Sequence, residues 1–173
     1  MSELRTNRIV PRDGLPSGSA GGIIQVRQKV ITDRYSETVP PSNSGPYGNL
    51  VNSEVITPTR SDSKIWIIMN LNIGSSNDGN TSVTLFRNGS IISGAIGASV
   101  GSRTPVTATD FTSSTSRQIQ MNVTYLDSPA STSAQAYGFK FSTAENGNMT
   151  CYLNRDNNFG GSYHSQVPIS TIT

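Results

Sequence analysis

Lys64-Ile65-Trp66-Ile67-Ile68-Met69-Asn70-Leu71-Asn72-Ile73 is the stretch on which the fold turns. Ile65, Ile67, Met69, Leu71 and Ile73 recur at every second position, the period of a pleated strand, so they share one face and that face belongs in a core. The alternate face changes character along the strand: Trp66 and Ile68 are apolar, whereas Asn70 and Asn72 are polar. Such a split predicts that the second face is covered at one end only, by a loop or by another subunit. Trp66 and Ile68 are therefore candidates for a subunit interface.

Outward from this strand the chain keeps the same idiom. Val83-Thr84-Leu85-Phe86 and Ile91-Ile92 flank Asn88-Gly89, a dipeptide suited to a tight hairpin turn with positive φ at both centres. Ile119, Met121, Val123 and Tyr125 alternate with Gln118, Gln120, Asn122 and Thr124, which predicts a half-buried strand. Tyr137, Phe139 and Phe141 line one face of the next strand, and Glu145-Asn146-Gly147-Asn148 is expected to fold it back in a hairpin onto Met149, Cys151 and Leu153. Residues 22–32 and 51–57 also read as β, and 167–173 as a final β segment interrupted at Pro168. Prolines at 40, 41 and 46 mark 35–50 as a surface loop, and small residues mark 96–116 as a loop or irregular edge. No window sustains helical spacing. Eight or nine short strands at this spacing predict an all-β, antiparallel sandwich or jelly roll over residues 23–173. The spacing does not separate a jelly roll from an immunoglobulin-like sandwich, although the two-cysteine framework of antibody domains is excluded by the single Cys151.

Composition narrows the function classes. Of the 173 residues only 34% are hydrophobic and 14% charged, and the balance is mostly Ser, Thr, Asn and Gly, which favour turns and pleated surfaces over helices. That profile is uncommon in cytosolic enzymes and common in extracellular and virion β-proteins. A net charge of +2 arises from scattered Arg and Lys, with no basic run to follow a phosphate backbone, so nucleic-acid binding is not expected. No apolar stretch approaches the roughly 20 residues that span a bilayer, and residues 1–18 lack the apolar centre of a secretory signal. Extracellular character without a signal points to release by lysis.

The search for chemistry is brief. Cys151 cannot pair within the chain, and its place between Thr150 and Tyr152 in a strand predicts a small buried hydrophobe. His164 is the only histidine and has no carboxylate near it in sequence, and the acidic residues fall mostly at turns, so no catalytic group, metal set or cofactor site is expected. Asn77-Asp78-Gly79-Asn80 lacks the spacing of a calcium loop and reads as a turn. Tyr47, Phe159 and Tyr163 lie in predicted loops, where exposed rings stack on sugars, although the first expectation for such rings is that they close the ends of a sandwich or fill a subunit interface.

Residues 1–22 carry Arg5, Arg8 and Arg12 among prolines and glycines, with only Leu4, Ile9, Val10 and Leu15 to bury. They cannot form a core alone, which leaves a disordered leader or an extended arm that orders on a partner. The opening Met1-Ser2-Glu3-Leu4-Arg5-Thr6-Asn7-Arg8-Ile9-Val10-Pro11-Arg12-Asp13-Gly14-Leu15-Pro16 resembles the leader of tail-fibre-like virion proteins of marine cyanophages and related phages. Gly21-Gly22-Ile23-Ile24-Gln25-Val26, Ile56-Thr57-Pro58, Ser63-Lys64-Ile65 and Tyr125-Leu126-Asp127-Ser128-Pro129 extend that resemblance over most of the chain.

The resemblance implies a phage particle component, made in the host cytoplasm, built as a homotrimer of jelly-roll subunits similar to tumour-necrosis-factor-like domains. Leu4, Ile9 and Val10 would dock the arm on another tail or capsid protein, with Arg5 and Arg8 adding polar contacts. Three functions follow in order of expectation. The first is a tail fibre or other appendage subunit, with a capsid decoration as its variant. The second is a host-receptor module in which the loops at 35–50, 96–116 and 155–166 meet surface glycans. A depolymerising enzyme comes last, because no acid pair or nucleophile stands out.

Overall fold

A computed structural model of the chain describes residues 23–41, 46–158 and 166–173. Eleven strands occur among them: β1 (Lys29–Ile31), β2 (Tyr35–Val39), β3 (Tyr47–Ile56), β4 (Ile65–Ser75), β5 (Gly79–Arg87), β6 (Ser90–Ile91), β7 (Ala108–Thr112), β8 (Ile119–Asp127), β9 (Gln135–Thr143), β10 (Met149–Leu153) and β11 (Ser170–Ile172). Their only helical company among the described residues is a single 3-10 turn, Ser93–Ala95.

β4 is central, as its apolar period demands. It pairs with β8 along nine residues, from Ile65 opposite Asp127 to Ile73 opposite Ile119. Its other edge is shared by two strands end to end: β11 meets Asn70 and Met69, and β10 meets Ile73, Gly74 and Ser75. Beyond them β1 pairs with β11 and β2 with β10. The first sheet is thus four lanes wide, β8, β4, β10 with β11, and β2 with β1. The second sheet runs β3, β9, β5, with β7 and β6 along the far edge of β5. Every pair is antiparallel, and the chain changes sheet between β2 and β3, β3 and β4, β4 and β5, β7 and β8, β8 and β9, and β9 and β10. Repeated crossing between two packed sheets is the wiring of a jelly roll, so the all-β, jelly-roll-like sandwich expected from strand count is the fold.

Both sheets give their inward period to one core. Ile65, Ile67, Met69, Leu71 and Ile73 of β4 face Val83 and Leu85 of β5 and Phe139 and Phe141 of β9, all buried. The two phenylalanines meet edge to face with centroids 5.4 Å apart. Asn88 and Gly89 adopt φ of 51° and 80°, the turn their sequence predicted between β5 and β6.

Four local expectations need correction. The 35–50 segment is not one loop, since Tyr35–Val39 pairs with β10 over five residues and β3 already begins at Tyr47. Pro40 ends β2 and does not prevent it, because a proline just past a strand removes no ladder bond. Within 96–116, Ala108–Thr112 is a strand on the edge of β5. The first strand is shorter than 22–32, being only Lys29–Ile31. Finally, Glu145-Asn146-Gly147-Asn148 makes no hairpin: β9 and β10 lie in different sheets, because both offer a continuous apolar face to the same core from opposite sides.

Candidate functional site

The outer face of β4 carries the clearest surface feature. Asn70 and Asn72 project there, and this polar half is the half the chain covers itself. Asn72 donates Nδ2 to the carbonyl of Ile169 at 2.6 Å, and Asn70 donates to Thr171 Oγ1 at 3.3 Å. Farther along, residues 154–158 fold back over the sheet. A Cβ built on Gly74 would stand 2.4 Å from the Arg155 carbonyl oxygen, so only glycine admits that approach. The Arg155 guanidinium lies over the Tyr152 ring at 4.3 Å from its centroid.

The apolar half is left open. Trp66 is 60% exposed and its register partner on β8, Leu126, is 58% exposed, while Ile68 is half-buried. Ile23, Ile24 and Val26, exposed ahead of β1, border the same surface. Together with Ile56 and Pro58 these side chains line a groove of about 440 Å³. Isolated apolar side chains on a surface need no explanation, but a contiguous cluster of this kind marks a contact surface. The expectation was cover over the apolar end, at Trp66 and Ile68; the loop instead lies over the polar end, and no described residue of this chain covers the apolar end.

Among the described strands β8 is an edge. Among the described residues it pairs only with β4, runs nine residues from Ile119 to Asp127, and has no charge or proline before its last position. Exposed edges of that length are ordinarily blunted by charge, proline or a bulge.

Two buried polar arrangements hold the frame. At one end of the sandwich Asp127 of β8 accepts a bond from Arg87 of β5 at 2.7 Å and another from Tyr137 of β9 at 2.6 Å, tying one sheet to the other. Beside the gap between β10 and β11, Asn154 is fully buried with φ of 59°. Neither was visible as a site in sequence, because the partners are far apart along the chain. The asparagine's only local mark was its position at the end of an apolar run.

Of the other expected site residues, Tyr47 pairs through its backbone with Phe141 at the β3 end of the second sheet. Phe159, Tyr163 and His164 lie outside the described residues, as do the arm positions Leu4, Arg5, Arg8, Ile9 and Val10. Among the described residues no three His, Cys, Asp or Glu side chains gather as a metal site. No helix among them is long and apolar enough to cross a membrane. No protein-family model matches the chain, and no curated protein matches it.

Cys151 faces the core with no exposed surface. Burial pushes its thiol up to about 12. Since thiolate is the reactive species, native protein at pH 8 is expected to leave an aromatic disulfide reagent unconsumed, and one equivalent of thiol should react on denaturation. Rapid labelling of folded protein would contradict that burial.

Proposed function

We propose that the chain is a non-enzymatic subunit of a bacteriophage particle, a tail fibre or other appendage, which assembles as a homotrimer. The surface used is the apolar half of the outer β4 and β8 face, with Trp66, Ile68 and Leu126 at its centre. One observation carries this reading: among the described residues a loop lies on the polar half of the face, and none covers Trp66 and Leu126. Burying each such side chain is worth about 1.5–3 kcal/mol, and a cyclic assembly collects that gain once per subunit. The neutral, hydroxyl-rich composition and the resemblance of residues 1–16 to phage fibre leaders support a place in a virion, where the arm would attach the subunit to tail or capsid proteins.

Sedimentation or light scattering of the purified protein tests the assembly. Wild type is expected as a trimer at micromolar concentration, whereas Trp66→Glu with Leu126→Lys should be a folded monomer. The loss of two apolar anchors per interface weakens association by about a hundred-fold or more. A monomeric wild type, or a variant that still trimerises, overturns the proposed interface. Removing residues 1–18 should abolish incorporation into particles while leaving the domain folded. Host-glycan recognition is a second role the same subunit would carry, and the 96–116 segment, which borders a groove on the opposite sheet, favours it.

A further inference from the structure

The outer face of the second sheet holds a polar groove of about 590 Å³, bordered by Asn80 and Ser82 of β5, Thr109 of β7, Ser142 of β9 and the turn bearing Arg103 and Thr104. It lies on the sheet opposite Trp66 and Leu126, so trimer formation through those residues leaves it open to solvent.

Its chemistry is set by hydroxyl groups. Ser82 Oγ donates to Thr109 Oγ1 at 2.9 Å, and Thr109 in turn donates toward the Thr81 carbonyl at 3.5 Å. Their protons are thus committed inward, which leaves Ser82 an acceptor for an incoming hydroxyl. Ser142 sits opposite Ser82 in the ladder and is only 3% exposed, yet its hydroxyl has no hydrogen-bond partner. An orphan buried hydroxyl lowers stability, and one beside a groove is positioned to gain a partner from what enters there. Arg103 stands at the rim on a turn held by its own N–H to the Val100 carbonyl at 3.2 Å, with Gly101 at φ of 59° supplying the left-handed step. Among the described residues no carboxylate pairs with Arg103 and none lines the groove. The nearby Glu145 carboxylate is occupied by the Asn80 backbone N–H at 2.9 Å.

We infer that this groove binds a carboxylated saccharide of the uronic-acid type, with Arg103 holding the carboxylate and Asn80, Ser82 and Ser142 holding ring hydroxyls. A planar guanidinium matches a carboxylate in bidentate fashion, and side-chain hydroxyls and amides match the donor and acceptor pattern of a sugar ring. The groove offers no aromatic ring among its lining residues, so recognition is polar and each site is weak; three sites on one trimer raise avidity. Binding itself does not depend on the phage reading, whereas a host surface polysaccharide as the source of the ligand does.

Saturation-transfer NMR and calorimetry with trigalacturonic acid, and with its methyl-esterified neutral form as comparison, test the site on the intact protein. Saturable binding of the acid form is expected, with the neutral form about tenfold weaker. Arg103→Ala should weaken the acid form by about the same factor. Ser142→Ala should bind several-fold more weakly while melting at the same or a higher temperature, because it removes an unpartnered hydroxyl; a purely structural serine would not lower affinity. No saturable binding up to about 10 mM overturns the site. So does equal binding of the neutral sugar, an affinity untouched by Arg103→Ala, or inorganic sulfate competing as well as the sugar, which would mean an anion site alone. The Trp66→Glu, Leu126→Lys monomer should keep intrinsic affinity, so failure of the trimer and failure of the groove are separately visible.

Discussion

Replacing Arg87 with methionine is expected to cost about 3–5 kcal/mol of folding stability, the range for stripping one partner from a buried ion pair. The Asp127 side chain is only 5% exposed, whereas the Arg87 side chain is 32% exposed. Without the guanidinium the carboxylate stays in the interior with the Tyr137 hydroxyl as its one remaining side-chain partner among the described residues. The opposite deletion, Asp127→Ala, should cost less, about 2–3 kcal/mol, because Arg87 can turn to water and only the Tyr137 hydroxyl is left unpaired. Arg87→Met combined with Asp127→Leu should cost clearly less than the two single changes added, since no buried charge remains. Denaturant unfolding of the three variants reads this order; equal costs would show that the pair is solvated in the folded state.

The same cluster gives a pH dependence. Burial first, and the bond to Asp127 second, raise the Tyr137 phenol above its ordinary value of 10.0. The folded protein therefore holds this proton to higher pH than the unfolded chain does. Its stabilising contribution is whole below about pH 10 and is lost as pH climbs through the raised folded value. Tyr137→Phe should lower stability at pH 8 yet flatten the decline above pH 10, measured against wild type.

Asn154→Ala is expected to cost about 4 kcal/mol. The asparagine donates Nδ2 to the Ile31 carbonyl at 2.8 Å and the Asp33 carbonyl at 3.1 Å, and accepts from Ser170 Oγ at 2.6 Å. Its backbone N–H meets the Asn72 carbonyl at 2.8 Å, and Ser170 Oγ receives the Asn72 N–H at 2.9 Å. One side chain thus bridges the place where β10 gives way to β11 and the place where β1 gives way to β2. Alanine would strand two carbonyls and a hydroxyl, and would also strain the left-handed backbone. Asn154→Gly should be milder than Asn154→Ala by about 1 kcal/mol, because glycine tolerates that φ. Hydrogen exchange should locate the damage in the Lys29–Ile31 and Ser170–Ile172 amides; uniform loss of protection across β5 and β9 would refute the bridging role.

The readable part of this fold is the part written at short range. β4, β8 and β9 were legible because five, four and three apolar residues respectively recur at period two, and any strand with that pattern must place them in a core. The β5 and β6 turn was legible because Asn88 and Gly89 supply a backbone conformation most residues resist. β2 and β7 were not, since Tyr35–Val39 and Ala108–Thr112 bury little and become strands only when a distant partner, β10 or β5, offers its edge. The surface face of β4 was half legible: Trp66 and Ile68 stood out, but Leu126 joined them only through the β4 and β8 register, and the polar end found its cover in residues 154–158.

By itself, then, the sequence determined that this protein is an all-β sandwich with a named core, because period and turn chemistry act between neighbours along the chain. Tertiary structure alone decided which strands share an edge, that Asp127 is a buried tie and not a turn cap, that Asn154 closes two broken lanes, and that Ser142 and Arg103 border one groove. Each of these joins residues tens of positions apart, and such pairs are brought together by packing of the two sheets, which no local pattern encodes.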